Sequence, residues 1–339
     1  MTVTLGDISV RYVNLMLKTA QNLEVDIRSV CNQFNLPDEL LNQGGARVSI
    51  PKYMRLGHHL INATGIREFG LRCGANSTLA TLGMAGFLAA SANTLEQALC
   101  CVIDYESLNS KNARGQSSAH IQGERFIAQF YSISPYNEFN CFVVDLALSI
   151  QVALIAQLTD KPVPLQRVEI EYPAPANANS YSDFFNCPVH FAQSRNALIY
   201  QRTDLQAPCY WRDNVTFKEL RQLCEQQKLQ LDRSLSLRER VMNEISPLLA
   251  GANVSIEQVA LRLDLPPWTL RRKLKEEGVL FRELVDATRK ALALIYIRDA
   301  QYSLGEIAYL LGFAHPAAFQ RAFRRWTGLA PGRFRDEGS

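Results

Sequence analysis

The chain has 339 residues, 47% of them hydrophobic and 20% charged, which excludes a disordered protein and is more than one compact core usually holds. The net charge of +3 does not indicate a nucleic-acid partner by itself. Its distribution is uneven, because residues 231–339 carry 17 Lys and Arg against 13 Asp and Glu, whereas the first 230 carry 19 against 20.

The first two-thirds of the chain mixes helical and strand patterns. Helical apolar spacing predicts helices over Ile8–Ala20, Val25–Phe34, Pro51–Ala63, Leu95–Leu108 after the cap Thr94, and Phe142–Leu158. Alternating apolar residues predict a hairpin of Ser118–Ile121 and Arg125–Ser132, and strands over Leu165–Glu171, Val189–Phe191 and Ala197–Tyr200. We therefore expect an α+β domain over residues 1–213, with Tyr210 and Trp211 as packing anchors at its edge. A polar helix over Asn214–Arg233 then forms a linker over residues 214–236.

The C-terminal third contains one pattern twice, 48 residues apart. The first copy is Ser255-Ile256-x-x-Val259-Ala260-x-x-Leu263 and the second is Ser303-Leu304-x-x-Ile307-Ala308-x-x-Leu311. Each serine has a partner three residues later, Gln258 or Glu306, so each copy predicts a capping box at the start of a helix. A short break follows each copy, at 264–267 and 312–316, before a second short helix. Two helices joined by a tight turn are typical of a helix-turn-helix unit, and the chain has two.

The second helix of each unit has an apolar stripe and a basic face. In the first unit, Leu270 and Leu274 are expected to pack this helix against the core. In the second unit, Phe319, Ala322, Phe323 and Trp326 are expected to do so. Arginine can contact guanine and glutamine can contact adenine, while other basic side chains neutralise phosphates. The candidate DNA-binding residues are Trp268, Arg271, Arg272, Lys275, Ala317, Gln320, Arg321, Arg324 and Arg325.

A basic helix face is more often a solvated surface than a binding site. Two capped units with the same apolar spacing make that interpretation the weaker one here. The segment Phe281–Asp299 reads as one connecting helix, with Leu284, Thr288, Ala291, Leu292 and Ile295 available to pack. Its 19 residues span about 28 Å. Adding the widths of the flanking units, we expect the two basic helices about 34 Å apart, one turn of duplex DNA.

The segment Gly312–Arg335 resembles the signature of AraC/XylS-type transcription regulators. The likeness runs through Phe319-x-Arg321-Ala322-Phe323-Arg324-Arg325-Trp326-x-Gly328-x-x-Pro331 and covers about a hundred residues, from Leu237 to Arg335. The resemblance implies an all-α, seven-helix DNA-binding domain over residues 237–339. It also implies that Trp268, Arg271 and Arg272 face the bases in the first unit, and that Ala317, Gln320 and Arg321 do so in the second.

The sequence departs from that signature at three positions. Many relatives have serine where this chain has Ala317, an acidic or polar residue at His315, and tyrosine at Phe334. The missing hydroxyl at Ala317 puts polar base readout there in doubt, although alanine can still touch a thymine methyl.

The N-terminal region resembles the large effector domain of one branch of the same family. The matching phrases are Phe69-Gly70-Leu71, Leu82-Gly83-Met84-Ala85-Gly86 and Phe184-Phe185-x-x-Pro188-Val189-x-Phe191. The resemblance implies a domain that binds a small molecule and helps to form a homodimer, and its length is closest to ornithine-utilisation regulators. The effector-binding residues are unknown. Arg67, Glu68, Arg72 and the His58-His59 pair are candidates, but surface charges and a capped histidine pair are the preferred interpretations.

The cysteines bear on an enzymatic alternative. All eight lie before residue 225, with no C-x-x-C pair and no nearby histidine cluster, so we expect free thiols and neither metal nor cofactor. An alkyl-transfer enzyme needs an activated cysteine, for which Cys187-Pro188-Val189-His190 is weak support. The remaining alternative is a large domain that only dimerises.

Location and partners complete the expectation. The N-terminus lacks the pattern of a signal peptide, and the apolar stretch Leu146–Leu158 is interrupted and short for a bilayer. We therefore expect a cytoplasmic, non-enzymatic regulator, with no membrane contact, that activates transcription when an effector binds. Its expected partners are double-stranded promoter DNA, the effector, RNA polymerase and a second copy of itself.

Overall fold

A computed structural model describes residues 6–112, 115–132, 136–160, 163–234, 236–249, 254–297 and 303–336. The chain forms two compact units, the first built from residues 6–112 and 116–230 and the second from residues 231–339. The division falls inside a helix, so the boundaries expected at residues 213 and 236 stay predictions. The first unit contains strands and helices, and the described part of the second is helical, which confirms the predicted fold class.

The first unit contains ten α-helices among its described residues, with the last one running into the second unit. They are α1 Val10–Gln21, α2 Ile27–Gln33, α3 Asp38–Asn42, α4 Ile50–Thr64, α5 Phe69–Ala75, α6 Gly83–Ala90, α7 Leu95–Asp104, α8 Cys141–Leu158, α9 Ala178–Phe185 and α10 Asn214–Ser234. The predicted cap of α7 is confirmed, because the Thr94 hydroxyl accepts a hydrogen bond from the Gln97 amide at 3.2 Å. The predicted helix to Leu108 ends earlier, at Asp104, and a 3-10 turn over Glu106–Leu108 follows.

Two sheets accompany these helices. The strands are β1 Gly6–Ser9, β2 Arg47–Ser49, β3 Ser110–Asn112, β4 Ser118–Gln122, β5 Arg125–Phe130, β6 Leu165–Glu169, β7 Val189–His190 and β8 Asn196–Gln201. The smaller sheet has the antiparallel order β2-β1-β3, and the larger has the order β4-β5-β8-β6-β7. In the larger sheet β6 and β7 run parallel, and its other pairs are antiparallel. The predicted hairpin is confirmed as β4 and β5.

The first predicted helix starts too early. Ile8 and Ser9 belong to β1, where Ile8 lies opposite Val48 of β2 and Ser110 of β3. The helix begins at Val10, with the Ser9 hydroxyl accepting a hydrogen bond from the Arg11 amide at 3.3 Å. An apolar residue at position 8 fits the pattern of a helix and that of a buried strand equally well. Pairing with distant strands therefore decides the conformation of Ile8.

Helix α8 is a core helix. It begins five residues before the apolar stretch Leu146–Leu158, and its 18 residues make it long and apolar enough to cross a membrane by length and composition alone. Eleven of its residues are buried, among them Phe142, Leu148 and Leu154. Burial within the protein accounts for this composition, because a helix surrounded by its own domain is apolar on all sides.

Tyr210 and Trp211 do not anchor the domain edge as expected. Their exposed fractions are 63% and 52%, and the two rings meet each other edge to face at 5.6 Å. The backbone makes the contact instead, because the Tyr210 amide donates to the Leu158 carbonyl at 2.8 Å. The prediction that these two aromatic side chains pack against the domain was therefore wrong.

The second unit contains seven α-helices within the residues that the structure describes from Leu237 onward. They are α11 Leu237–Ile245, α12 Ile256–Arg262, α13 Pro267–Glu276, α14 Phe281–Tyr296, α15 Leu304–Leu310, α16 Pro316–Thr327 and α17 Pro331–Asp336. Helix α16 ends at Gly328, whose φ of 81° is left-handed, and α17 begins at Pro331, as expected for both. Leu284, Thr288 and Leu292 of α14 are buried as predicted. The predictions for the Ile295 side chain and for residues 298–299 lie outside the described residues.

Candidate DNA-binding surface and effector domain

The first helix-turn-helix unit consists of α12 and α13. The Ser255 hydroxyl accepts from the Gln258 amide at 3.2 Å, and the Gln258 side-chain oxygen accepts from the Ser255 amide at 3.0 Å. Two of the four backbone amides that lack an intrahelical partner at the start of α12 are thereby satisfied. This reciprocal pair confirms the predicted capping box.

Helix α13 lies on its core through Leu270 and Leu274, which are buried as predicted. The four candidate residues of this helix are exposed: Trp268, Arg271, Arg272 and Lys275. The guanidinium of Arg272 lies 5.7 Å from the centre of the Trp268 ring, a cation–π contact between residues one turn apart. The spacing of these four residues places the indole and the three basic groups on one exposed face of α13.

The ion pairs of α13 are weak. Arg271 lies 3.8 Å from Glu257 of α12, and Arg272 lies 3.6 Å from Glu276. All four side chains are more than half exposed, and exposed pairs of this kind contribute about 0–1 kcal/mol. A stronger anion therefore competes easily for either arginine.

The second unit consists of α15 and α16. The Ser303 hydroxyl accepts from the Glu306 amide at 3.2 Å, and the Glu306 carboxylate accepts from the Ser303 amide at 2.8 Å. At the start of α16 the His315 ring nitrogen Nδ1 accepts from the Ala318 amide at 3.2 Å. His315 therefore acts as the N-cap of this helix.

The apolar stripe of α16 is confirmed for Phe319, Ala322 and Phe323, which are buried. Trp326 is only partly buried, and its ring lies 6.0 Å from that of Phe313. The predicted stripe therefore ends at a half-covered indole, because the turn residue Phe313 shields one side of it.

The five candidate residues of α16 are exposed: Ala317, Gln320, Arg321, Arg324 and Arg325. Arg325 is committed to a side chain of α14, because its Nη2 lies 3.1 Å from the Asp286 carboxylate. Arg321 and Arg324 have no ion-pair partner within the described residues. Arg321 and Arg324, the first two of the three arginines of α16, are therefore more available than Arg325.

Arg289 of α14 was missed from the sequence. Its Nε donates to the Leu311 carbonyl at 2.9 Å and its Nη2 to the Gly312 carbonyl at 3.0 Å, both in the turn of the second unit. Its guanidinium also lies 4.8 Å from the centre of the Phe313 ring, and burial lowers its pKa. Arg289 thus ties the connecting helix to the turn that presents α16. Sequence spacing gave no signal for it, because its partners are backbone carbonyls more than 20 residues away.

The first unit holds a buried acidic group. Asp145 of α8 accepts hydrogen bonds from the Tyr172 hydroxyl and, at 2.9 Å, from the Tyr181 hydroxyl. Burial raises the pKa of the Asp145 carboxyl to about 7 despite these two donors. The network links α8 to α9 and to the segment after β6.

Of the effector candidates named from the sequence, Arg72 borders a cavity lined by Thr19, Asn76 and Phe184, and the others do not border it. Arg67 and Arg72 are exposed, and Glu68 accepts a hydrogen bond from the Ser180 hydroxyl at 3.0 Å. His58 contacts the Asn62 amide at 3.0 Å and the Phe139 ring at 4.2 Å. These contacts fit the preferred interpretation of surface charges and a capped histidine.

The cysteine thiols are suited to packing. All eight are free, and burial raises the pKa of Cys187 to about 11 and that of Cys73 to about 12. A thiol with a raised pKa is a poor nucleophile, because the thiolate is the reactive form. Among the described residues no group of three or more His, Cys, Asp or Glu side chains could hold a metal ion.

Known proteins match both units. Residues 25–209 match the family model of the arabinose-binding domain of AraC transcription regulators, and residues 259–337 match a helix-turn-helix domain. The ornithine utilization regulator of Pseudomonas aeruginosa is 26% identical over 97% of this chain and 96% of its own length. The regulator VirS of Mycobacterium tuberculosis is 24% identical over 96% and 94%. The crystal structure of the regulator CdpR of Pseudomonas aeruginosa matches 95% of this chain and 98% of its own, at 21% identity and a TM-score of 0.45.

These relatives are named as transcription regulators, and the chain is accordingly a regulator and not an enzyme. Its helix-turn-helix domain binds DNA and its N-terminal domain binds an effector. The first match covers more than half of the sequence. The chain belongs to the AraC family of transcription regulators.

Proposed function

We propose that the protein is a transcription activator in which α13 and α16 read a promoter half-site and an effector of the first unit controls DNA binding. The observation that carries this proposal is the pair of capped helix-turn-helix units whose second helices expose arginines without strong partners. Trp268, Arg271 and Arg272 face the bases in one groove, and Ala317, Gln320 and Arg321 do so in the next. Lys275, Arg324 and Arg325 neutralise phosphates.

The contacts of these arginines support different roles. The Arg272 guanidinium lies over the Trp268 ring, and this contact favours one position of the side chain before DNA binds. Arg321 has no ion pair to give up among the described residues. Arg325 must release Asp286 before it can reach a phosphate, which makes it the weaker contributor. The 16 residues of α14 span about 24 Å, which suits two helices entering successive major grooves.

The effector is proposed to be ornithine or a related amino acid, because the matched regulator of ornithine utilization covers nearly the full chain. Activation would follow from an effector that binds the DNA-competent state more tightly and so shifts the population toward it. We further propose a cytoplasmic homodimer that contacts RNA polymerase, as the family resemblance implies.

The double substitution Arg272→Ala and Arg321→Ala tests the DNA-binding assignment. Each lost bidentate base contact should weaken specific promoter binding by about 1–3 kcal/mol, measured by gel-shift titration at fixed salt. The matched control is Arg28→Ala with Arg55→Ala, which removes the same charge from exposed positions of the first unit. Equal affinity and specificity of the double variant and the control would contradict the assignment.

A further inference from the structure

A cavity of about 70 Å³ lies inside the first unit. It is bordered by Tyr12 of α1, Tyr53 of α4, Ile103 of α7 and Gln151 of α8, and by Glu106 just after α7. A buried water needs about 10–15 Å³ of such space. The cavity therefore has room for roughly five waters or for a ligand with about that many non-hydrogen atoms.

Two polar groups that border the cavity lack hydrogen-bond partners. The Tyr53 hydroxyl and the Gln151 side-chain oxygen are buried and accept or donate no hydrogen bond within the described residues. The two residues are 1% and 6% exposed. Buried polar atoms in native proteins are nearly always paired, with protein groups or with water, so two unpaired atoms on one cavity indicate that polar molecules occupy it.

The third polar group is a carboxylate without a counter-ion. One oxygen of Glu106 accepts from the Ser117 amide at 3.1 Å and the other from the Ser117 hydroxyl at 3.0 Å. Within the described residues it has no ion-pair partner, and burial raises the pKa of its carboxyl to about 7. Arg47, whose charge acts on Tyr12, is bound to Asp7 and to the Leu108 carbonyl at 2.9 Å. No Lys or Arg side chain borders the cavity among the described residues.

Aromatic side chains complete the surroundings. Tyr12, Tyr53 and Phe130 border the same cavity as Glu106. Aromatic faces attract cations because of their quadrupole, and the attraction is larger away from water. An anion would be repelled by Glu106, and a neutral polar molecule would leave its carboxylate uncompensated.

We infer that this cavity belongs to the effector site and that it takes the ammonium end of a small organic effector, with Glu106 as its counter-ion and Gln151 and Tyr53 as hydrogen-bond acceptors. Binding of an ammonium ligand in the cavity can be tested by itself. That this ligand controls DNA binding rests on the proposed function.

Isothermal titration of the full chain with n-butylammonium tests the site. Butan-1-ol and butyrate serve as neutral and anionic molecules of similar size. We expect heat of binding with n-butylammonium alone. Glu106→Gln keeps the shape and removes the charge, and it should raise the Kd about ten- to hundredfold.

Two further variants keep the result interpretable. Tyr53→Phe removes one unpaired hydroxyl without changing the packing and should weaken binding several-fold. The control Glu39→Gln changes an exposed carboxylate of α3 and should bind as the wild type does. Circular dichroism confirms that each variant is folded.

Several results would overturn the inference. Binding of butyrate or butan-1-ol as tight as that of n-butylammonium would do so. So would an unchanged Kd in both Glu106→Gln and Tyr53→Phe, or the absence of ammonium binding up to about 10 mM, a very weak affinity. A gel shift with and without n-butylammonium is a separate readout: binding without any change in DNA affinity would contradict effector control and leave the site intact.

Discussion

At the scale of the single residue, Asp145 is a group whose ionisation opposes folding. Its carboxyl lies between the Tyr172 and Tyr181 hydroxyls, and the charged groups that act on it include Glu68. Burial and, to a lesser extent, the nearby Asp145 raise the pKa of the Cys141 thiol to about 12, so this thiol carries no charge at ordinary pH. Two hydroxyl donors do not replace the lost hydration of a carboxylate, so the neutral acid is favoured in the folded protein.

This arrangement predicts a pH-dependent stability. The folded pKa of Asp145 is about 7 and its ordinary value is 3.8, so the folded protein binds more protons between these values. Its contribution to stability is therefore complete below about pH 4 and is lost as the pH rises through 7. The unfolding free energy of the wild type should fall between pH 5 and pH 8. That of the Asp145→Asn variant should fall less, with a difference on the order of 2 kcal/mol. Urea denaturation at both pH values measures this.

Glu106 provides the comparison for Asp145. Burial also raises the pKa of its carboxyl to about 7, so it contributes a pH dependence of the same sign. The unfolding free energy of the double variant Glu106→Gln with Asp145→Asn should therefore change less with pH than that of either single variant. A wild-type stability that rises between pH 5 and pH 8, with no difference from Asp145→Asn, would show that the carboxyl is already ionised in the folded protein.

At the scale of the element, the packing of α5 on α8 depends on two glycines one helical turn apart. A methyl group at Gly70 would lie 2.8 Å from the Asp145 Cβ, and one at Gly74 would overlap the Ser149 hydroxyl. The Ser149 hydroxyl also lies 3.5 Å from the Gly70 carbonyl. The motif Phe69-Gly70-Leu71 therefore marks a close approach of two helices, and α8 places Asp145 through the same contact.

Gly74→Ala should destabilise the protein because of this approach. Overpacking of a tight contact costs about 1–3 kcal/mol, which chemical denaturation of the full chain can measure. Gly44→Ala is the matched control, since no other group lies within 4 Å of its added methyl. Its effect should stay within about 0.5 kcal/mol. Equal stabilities of the two variants would mean that α5 and α8 can separate without cost.

At the scale of the whole molecule, α10 contacts the residues just before Glu106 and continues into the second unit. The Tyr105 hydroxyl, one residue before Glu106, donates to the Glu225 carboxylate of α10 at 2.6 Å. The Lys228 ammonium donates to the Asp104 carbonyl at 3.1 Å. Helix α10 then continues to Ser234, into the part of the chain that belongs to the second unit.

Tyr105→Phe should uncouple effector binding from DNA binding. The hydroxyl does not border the proposed ammonium cavity, so the Kd for n-butylammonium should change less than about twofold. The change in promoter affinity caused by the ligand should disappear, as gel shifts with and without n-butylammonium would report. Tyr210→Phe, an exposed tyrosine, is the control. A ligand effect as large as in the wild type would exclude this route.

The sequence by itself determined the helix-turn-helix units. Capping boxes join residues three apart, and apolar stripes repeat within one helix, so Ser255, Gln258, Ser303 and Glu306 could be read correctly from local spacing. The exposed basic faces of α13 and α16 follow from the same spacing, because burying one stripe leaves the opposite side in water.

Only the tertiary structure decided what depends on distant partners. Ile8 joined a strand because β2 and β3, about 40 and 100 residues away, pair with it. Arg289 acquired its role from carbonyls in a later turn, and the cavity formed where Glu106 met residues of three other helices. Residue type and spacing describe a chain's own neighbourhood, whereas burial and unpaired polar groups depend on which surfaces meet after folding.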